Sequence, residues 1–442
     1  MNLCFILSES DKKRHHRIDD NYQSNLWIPK KLNLLDWKFT FDFLEFKNFL
    51  SNNNILDSLP ENDFYLTVYN CREMTNEILY MMKNENDEIV KDLIFDLQNR
   101  KTSVIFFDED RSSINNFYIE EESEYWEILE DFLKKYNIDY DLISIVGPDK
   151  YMLKEDERFI DNKGVTFMNF QHQAAYQNFY NLKYFSNFKG IIQSSKPFLK
   201  EKKFMCLNNS SRPWRADIFI FLNLKGYIDD GYLSYGNYYP VTEQHLEFGV
   251  SERMGYEEDF YELDYKKKDI EDALNKTPRI IDYKKNWDKN LSGNIGTIIN
   301  PTLYLNSYFS IITETDFDMA WKKISVNHIT EKTIKTFLVF HPFILCGPYK
   351  SLEILRDWGF KTFHPFIDET YDTIKDPVER MNHIKIEIDK LCNKSLLELD
   401  EWYWKMEKIL LYNHNHVKKH SKNQILNLIE LMENKWKKLK QY

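Results

Sequence analysis

Short apolar runs separated by amphipathic text set the pattern of this chain. Leu3–Leu7, Phe64–Val68, Ser103–Phe107 and Leu142–Val146 have the length and apolar content of buried strands, and helical periodicity lies between them, as over Thr75–Met82 and Glu122–Lys135. Strands alternating with helices predict a mainly parallel sheet. Turn-rich text at Ser194–Pro197 predicts a joint. A second α/β unit then opens at Lys203, with a strand over Phe204–Leu207 and a turn over Asn208–Ser211. Its first helix has Ser211 as a cap and Pro213 in the first turn, and stops at Gly226.

Residues 251–294 are highly charged and poorly periodic, which predicts an insertion. Strand text returns over Asn300–Thr315. A helix capped by Thr330 follows, then a strand over His341–Gly347, a helix over Ser351–Trp358 ended by Gly359, and a strand over Phe360–Phe363. From Asp376 onward the pattern is helical. Asp376-Pro377 with Glu379 is a start signal. Three stripes follow: Met381, Ile384, Ile388 and Leu391; Leu399, Trp402, Met406 and Ile409; Leu428, Met432, Trp436 and Leu439. Lys435, Lys437, Lys438 and Lys440 suit the negative end of the last helix. The expected domains are therefore 1–196, 197–375 and a helical extension over 376–442.

Composition changes this picture little. The chain has 442 residues, 43% hydrophobic and 29% charged, as expected of a globular protein with more than one core. The 16% aromatic content fits ring packing or stacking on a sugar or base. A net charge of -11 argues against general affinity for phosphate polymers but leaves room for a local basic pocket. Cys4, Cys71, Cys206, Cys346 and Cys392 form neither a zinc spacing nor a disulfide framework, which predicts a reducing compartment. Asn2–Leu7 is too short for a signal peptide, and no apolar run reaches the roughly 20 residues of a membrane span. The expected location is the cytoplasm, or that of a host cell if the protein is viral.

Two positions concentrate candidate chemistry. Arg212 and Arg215 lie three apart where a strand, an Asn/Ser turn and a helix start meet, the place where open α/β sheets bind ligands. They read either as a diphosphate clamp at a helix N-terminus or as solvated surface arginines. Thr330-Glu331-Lys332 is the second position. Thr330 caps and Glu331 suits the helix dipole, whereas Lys332 opposes it, and a bound phosphate would explain that placement. Glu331 would then take ribose hydroxyls. Glu314, Asn209 and His328 flank these positions and join them as candidate contacts to a nucleotide-sugar donor.

Asp-x-Asp occurs at Asp316–Asp318, Asp108–Asp110 and Asp139–Asp141. Three occurrences in an acidic chain make metal binding by any of them a weak expectation. Asp108, Glu109 and Asp110 follow a strand of the first unit. One of them could face the second unit across a cleft and act as general base, or all three could form a solvated acidic loop. His15, His16 and His172 are weaker candidates.

The second unit resembles the donor domain of the α-1,3-fucosyltransferase family and its bacterial, phage and large-virus relatives. Phe204–Arg215 looks like the family's strand, Ser-Asn turn and helical arginine, with Arg215 matching that arginine. Tyr308–Thr315, Ile329-Thr330-Glu331-Lys332 and Pro342–Pro348 look like its Phe-Glu-Asn-Ser strand, Tyr-Val-Thr-Glu-Lys signature and following strand. The chain departs from the pattern with Glu314-Thr315-Asp316 in place of Glu-Asn-Ser and His328 in place of the tyrosine. The resemblance implies a GT-B fold of two facing Rossmann-type domains, with 1–196 on the acceptor side and 197–375 holding the donor. It also implies inverting, metal-independent transfer without a cofactor, from a nucleotide-diphosphate sugar to a glycan or other hydroxyl-bearing acceptor. Arg215 and Lys332 would hold the pyrophosphate and Glu331 the ribose. Two rivals stand beside it: glycosylation of modified bases in phage-type DNA, and a non-catalytic scaffold that binds a partner through the helical tail.

Overall fold

The computed structural model describes residues 2–7, 65–71, 74–86, 88–108, 124–147, 164–169, 188–196, 198–208, 212–235, 265–277, 279, 281, 299–314, 317, 329–439 and 441. The chain divides into two units, 1–176 with 421–442, and 177–420.

The first unit carries a five-stranded sheet of β1 (Asn2–Leu7), β2 (Tyr65–Cys71), β3 (Thr102–Asp108), β4 (Ile143–Gly147) and β5 (Thr166–Asn169) in that order. Every pairing is parallel. Helices α1 (Met74–Lys83) and α2 (Glu88–Gln98) lie between β2 and β3, and α3 (Glu124–Lys135) between β3 and β4. β4 is buried at every position, as a strand covered on both faces must be.

The second unit begins with α4 (Phe188–Ser195) and is built on a four-stranded parallel sheet. Its strands are β6 (Lys202–Asn208), β7 (Gly231–Tyr235), β8 (Ser307–Thr313) and β9 (Phe343–Cys346), in the order β7-β6-β8-β9. Between them run α5 (Pro213–Leu224), α6 (Lys267–Leu274), α7 (Pro301–Leu305) and α8 (Glu331–Leu338), and after them α9 (Ser351–Asp357). β8 is buried throughout. A Cβ at Gly231 would lie 2.4 Å from the Phe204 ring, so β6 and β7 meet there only because the side chain is hydrogen. Several aromatics of this unit pack in its core: Phe219 lies 4.9 Å from Tyr235, and Phe337 stacks on Phe360 at 4.3 Å.

Helices α10 (Pro377–Cys392), α11 (Leu396–Lys405) and α12 (Glu407–Leu439) follow. Asp376 caps α10 by accepting from the Glu379 N–H at 2.7 Å, and Ser395 and Glu398 form a capping box on α11. Residues 376–442 do not behave as an appendage. α10 packs on β6 and β9, and α11 on β6 and β8, because their apolar stripes have a sheet to cover. α12 continues through the division of the chain, so that residues from Ser421 onward belong to the first unit.

Three expectations need correction. Lys435 is 3% exposed and donates to the carbonyls of Asp141 at 2.6 Å and Ile143 at 3.0 Å, so it is a buried anchor, and the basic residues of the last turn of α12 are Lys437 and Lys438. Residues 360–363 are no strand; Phe360 and Phe363 are buried against Phe337 and Phe343. The charged stretch 251–294 contains α6, and most of the remainder lies outside the described residues.

Candidate functional site

In the second sheet the chain goes outward from β6 to β7, then returns past β6 to β8. In an open parallel sheet such a reversal opens a crevice beyond the carboxyl ends of the two strands, here β6 and β8. Three segments arrive there: the start of α5, residue Glu314 at the end of β8, and the start of α8.

Arg212 is the N-cap of α5 in extended conformation (φ -149°, ψ 151°), half-buried, with its guanidinium 5.7 Å from the Trp214 ring centre. Pro213 then starts the helix with the φ it needs. Trp214 turns inward and donates its indole N–H to the Glu314 carbonyl at 3.0 Å. Arg215, 5% exposed, donates through Nη2 to the carbonyls of Thr313 at 3.4 Å and Glu314 at 3.3 Å. Arg215 is thus no surface arginine. Burial, and then the neighbouring Arg212, push its pKa down to about 10; Glu314, Tyr235 and Glu331 pull the other way. It remains a cation at neutral pH.

Glu314 is 0% exposed. Its Oε1 accepts from the Thr330 N–H at 3.0 Å and from the Thr333 hydroxyl at 2.6 Å, and its Oε2 accepts from the Thr330 hydroxyl. These bonds fasten the first turn of α8 to the end of β8. A side chain this buried and this occupied supports the corner from below; it does not meet a donor, as the sequence suggested. Thr330 caps α8 and accepts from the Lys332 N–H at 3.3 Å.

Lys332 Nζ donates to Thr330 Oγ1 at 3.1 Å and lies 3.5 Å from Glu331 Oε1 and 3.9 Å from Glu314 Oε2. The two carboxylates offset the penalty of a cation at a helix N-terminus, so its placement has an explanation inside the protein. Burial opposes ionisation of Glu331, but Lys332, Lys335 and its own N–H outweigh it and hold the carboxyl below its usual range. Lys332 keeps 27% of its side chain exposed and Glu331 15%, so both remain open to solvent.

The structure thus brings together Arg212, Arg215, Glu314, Thr330, Glu331 and Lys332. Asn209, His328, Glu109 and Asp110 lie outside the described residues, as do His15, His16, His172, Asp316 and Asp318. Asp108 ends β3, paired in register with Cys71 of β2. Asp139 and Asp141 both pair with Arg100, which accounts for that Asp-x-Asp as an ion pair. Among the described residues no group of three His, Cys, Asp or Glu could hold a metal ion.

Several supporting residues carried no legible signal. Asn208, ending β6, accepts the Thr313 hydroxyl of β8. Phe317 stacks on Trp214 at 6.3 Å, and Arg380 of α10, 1% exposed, lies 4.6 Å from the Phe317 ring while donating to its carbonyl at 2.9 Å. Arg380 sits beside the apolar stripe of α10, where a sequence shows an ordinary helix-surface cation.

No protein-family model and no curated protein sequence matches the chain. Among solved structures, α,α-trehalose 6-phosphate synthase from Burkholderia multivorans aligns over 89% of this chain and 77% of its own, with TM-score 0.36 and 8% identity. A likeness at that level carries no weight for the residues above. No helix among the described residues is long and apolar enough to cross a membrane.

Proposed function

We propose that the protein is a GT-B-type glycosyltransferase that moves a sugar from a nucleotide-diphosphate sugar to a hydroxyl acceptor, with the second unit holding the donor. The supporting observation is that Arg215 and Lys332, from two helix starts, both end on Glu314 at the reversal point of a parallel sheet. Two helix N-termini and three cations at one crevice suit a diphosphate. Lys332 takes the phosphate and ionised Glu331 the ribose hydroxyls. Arg212 adds charge at the rim, while Arg215 adds it from beneath and holds the end of β8.

In transfer by direct displacement, negative charge grows on the leaving diphosphate, and these groups stabilise it as it develops. Displacement from the opposite face inverts the anomeric centre. The acceptor's hydroxyl proton must go to a base, for which Asp108, Glu109 and Asp110 are the candidates; Glu109→Gln should slow transfer and leave donor affinity intact.

The deciding experiment is titration calorimetry of a panel of nucleoside diphosphates and their sugars against wild type and Lys332→Ala. One charge-assisted contact contributes roughly 1.5–3 kcal/mol, so the variant should bind about ten- to a hundred-fold more weakly while unfolding at the wild-type temperature. Equal affinity in the two proteins, or no binding by wild type, rejects the reading.

A further inference from the structure

We propose that Glu314 is a positioning residue for Lys332: its buried carboxylate fixes the direction of the Thr330 hydroxyl and thereby holds the Lys332 ammonium over the helix start. This rests on reading that corner as a diphosphate site.

A threonine hydroxyl has one proton to donate and two lone pairs to offer. The Lys332 N–H and ammonium can only donate, so together they take both lone pairs, and the bond between Thr330 Oγ1 and Glu314 Oε2 must use the hydroxyl proton. Both lone pairs are then directed away from Glu314. One receives the Lys332 N–H at 3.3 Å and the other the Lys332 ammonium at 3.1 Å. The hydroxyl is thereby saturated, and its orientation follows from the carboxyl oxygen of a side chain that is fully buried. Oε1 is pinned independently by the Thr330 N–H and the Thr333 hydroxyl, so the carboxylate cannot rotate to offer anything else.

Glu314→Gln is the informative change, because it preserves size. The two donors on Oε1 require the amide oxygen to remain there. The amide nitrogen then faces Thr330 Oγ1 and donates to it. That occupies the lone pair that had held the ammonium, and the polarity of one bond is reversed with little change of shape.

The test uses the full-length chain and inorganic pyrophosphate, which probes the cationic corner without a base or sugar. Calorimetry should show Glu314→Gln and Thr330→Val each binding pyrophosphate at least tenfold more weakly than wild type. Thr330→Ser, which keeps the hydroxyl, should bind as wild type does. The discriminating measurement is a double-mutant cycle: in a Lys332→Met background, Glu314→Gln should have no further effect, because the residue it acts through is gone. A purely structural Glu314 would lose the same factor in either background, and that additive result overturns the proposal. Glu314→Gln binding as tightly as wild type overturns it as well, leaving the glycosyltransferase reading in place. A wild type that binds neither pyrophosphate nor any nucleotide removes both. Should Glu314→Gln not fold, the Thr330→Val and Thr330→Ser pair decides: equal affinities reject the hydroxyl relay, and a loss confined to valine supports it.

Discussion

The indole of Trp214 donates to the backbone carbonyl of Glu314 across 3.0 Å, so the first turn of α5 grips the end of β8 by its main chain. Arg215 shares that carbonyl. The corner is therefore held twice over, through the backbone of Glu314 from one helix and through its side chain from another.

Trp214→Phe keeps an aromatic ring but loses the pyrrole half of the indole, and this donor with it. The carbonyl keeps Arg215, so the hydrogen bond accounts for about 1 kcal/mol, and the cavity left at a buried site raises the expected cost to roughly 2 kcal/mol. Urea unfolding should show a lower midpoint with an unchanged slope.

Arg215→Ala should behave quite differently from Lys332→Ala. It removes a side chain that is 5% exposed, takes a donor from the Thr313 carbonyl and leaves the Glu314 carbonyl only the Trp214 indole. A loss on the order of 3 kcal/mol is expected, together with weaker diphosphate binding. Parallel calorimetry and denaturation of the two variants would separate them; a fully stable Arg215→Ala contradicts its assigned place.

Acid should destabilise the second unit through buried histidines. His341 donates from Nε2 to the Ser307 carbonyl at 2.8 Å, and its Nδ1 lies 2.7 Å from Ser310 Oγ. Burial, and then Lys200, push its pKa down to about 3. His420 stacks on Trp358, and burial followed by His416 lowers it to about 4. An unfolded histidine titrates near 6.5, so below that pH the unfolded chain binds more protons than the folded one. Stability is complete above 6.5 and falls as the pH drops toward 4, by on the order of 3 kcal/mol per group. His420 Nε2 has no hydrogen-bond partner among the described residues, so His420→Phe should flatten part of this acid limb without loss at pH 7. Urea midpoints from pH 7 to 4 measure it.

Gly359 ends α9 with φ +87°, and a Cβ there would lie 2.8 Å from Cε1 of His416, whose ring donates to the Trp358 carbonyl at 2.7 Å. Gly359→Ala therefore meets both backbone strain and a tethered ring. A loss of about 2 kcal/mol is expected, read as a lower thermal midpoint.

The sequence reveals strands where burial is continuous. Ile143–Gly147 and Ser307–Thr313 read as apolar text because both faces are covered. β7, Gly-Tyr-Leu-Ser-Tyr, is harder to see: an edge strand with a glycine and a serine resembles a turn. Phe360–Phe363 misleads in the opposite direction, since its aromatics are buried by ring packing without a neighbouring strand to pair with. At the candidate site, residue types and helix starts draw attention to Arg215 and Lys332. Depth is not encoded locally, however, and Glu314 and Arg380 look from sequence like groups that meet solvent or ligand. Their roles depend on distant elements, Thr330 and Thr333 for one and Phe317 for the other.

The passage of α12 from one unit into the other has a consequence for biosynthesis. The first unit is assembled from two separate segments, 1–176 and 421–442, whereas 177–420 is contiguous. Lys435 cannot cap the carbonyls beside β4 until the chain has grown 292 residues beyond Ile143. On the ribosome, the later-made unit can thus complete its core before the earlier one closes. A single protease cut cannot release the earlier one whole.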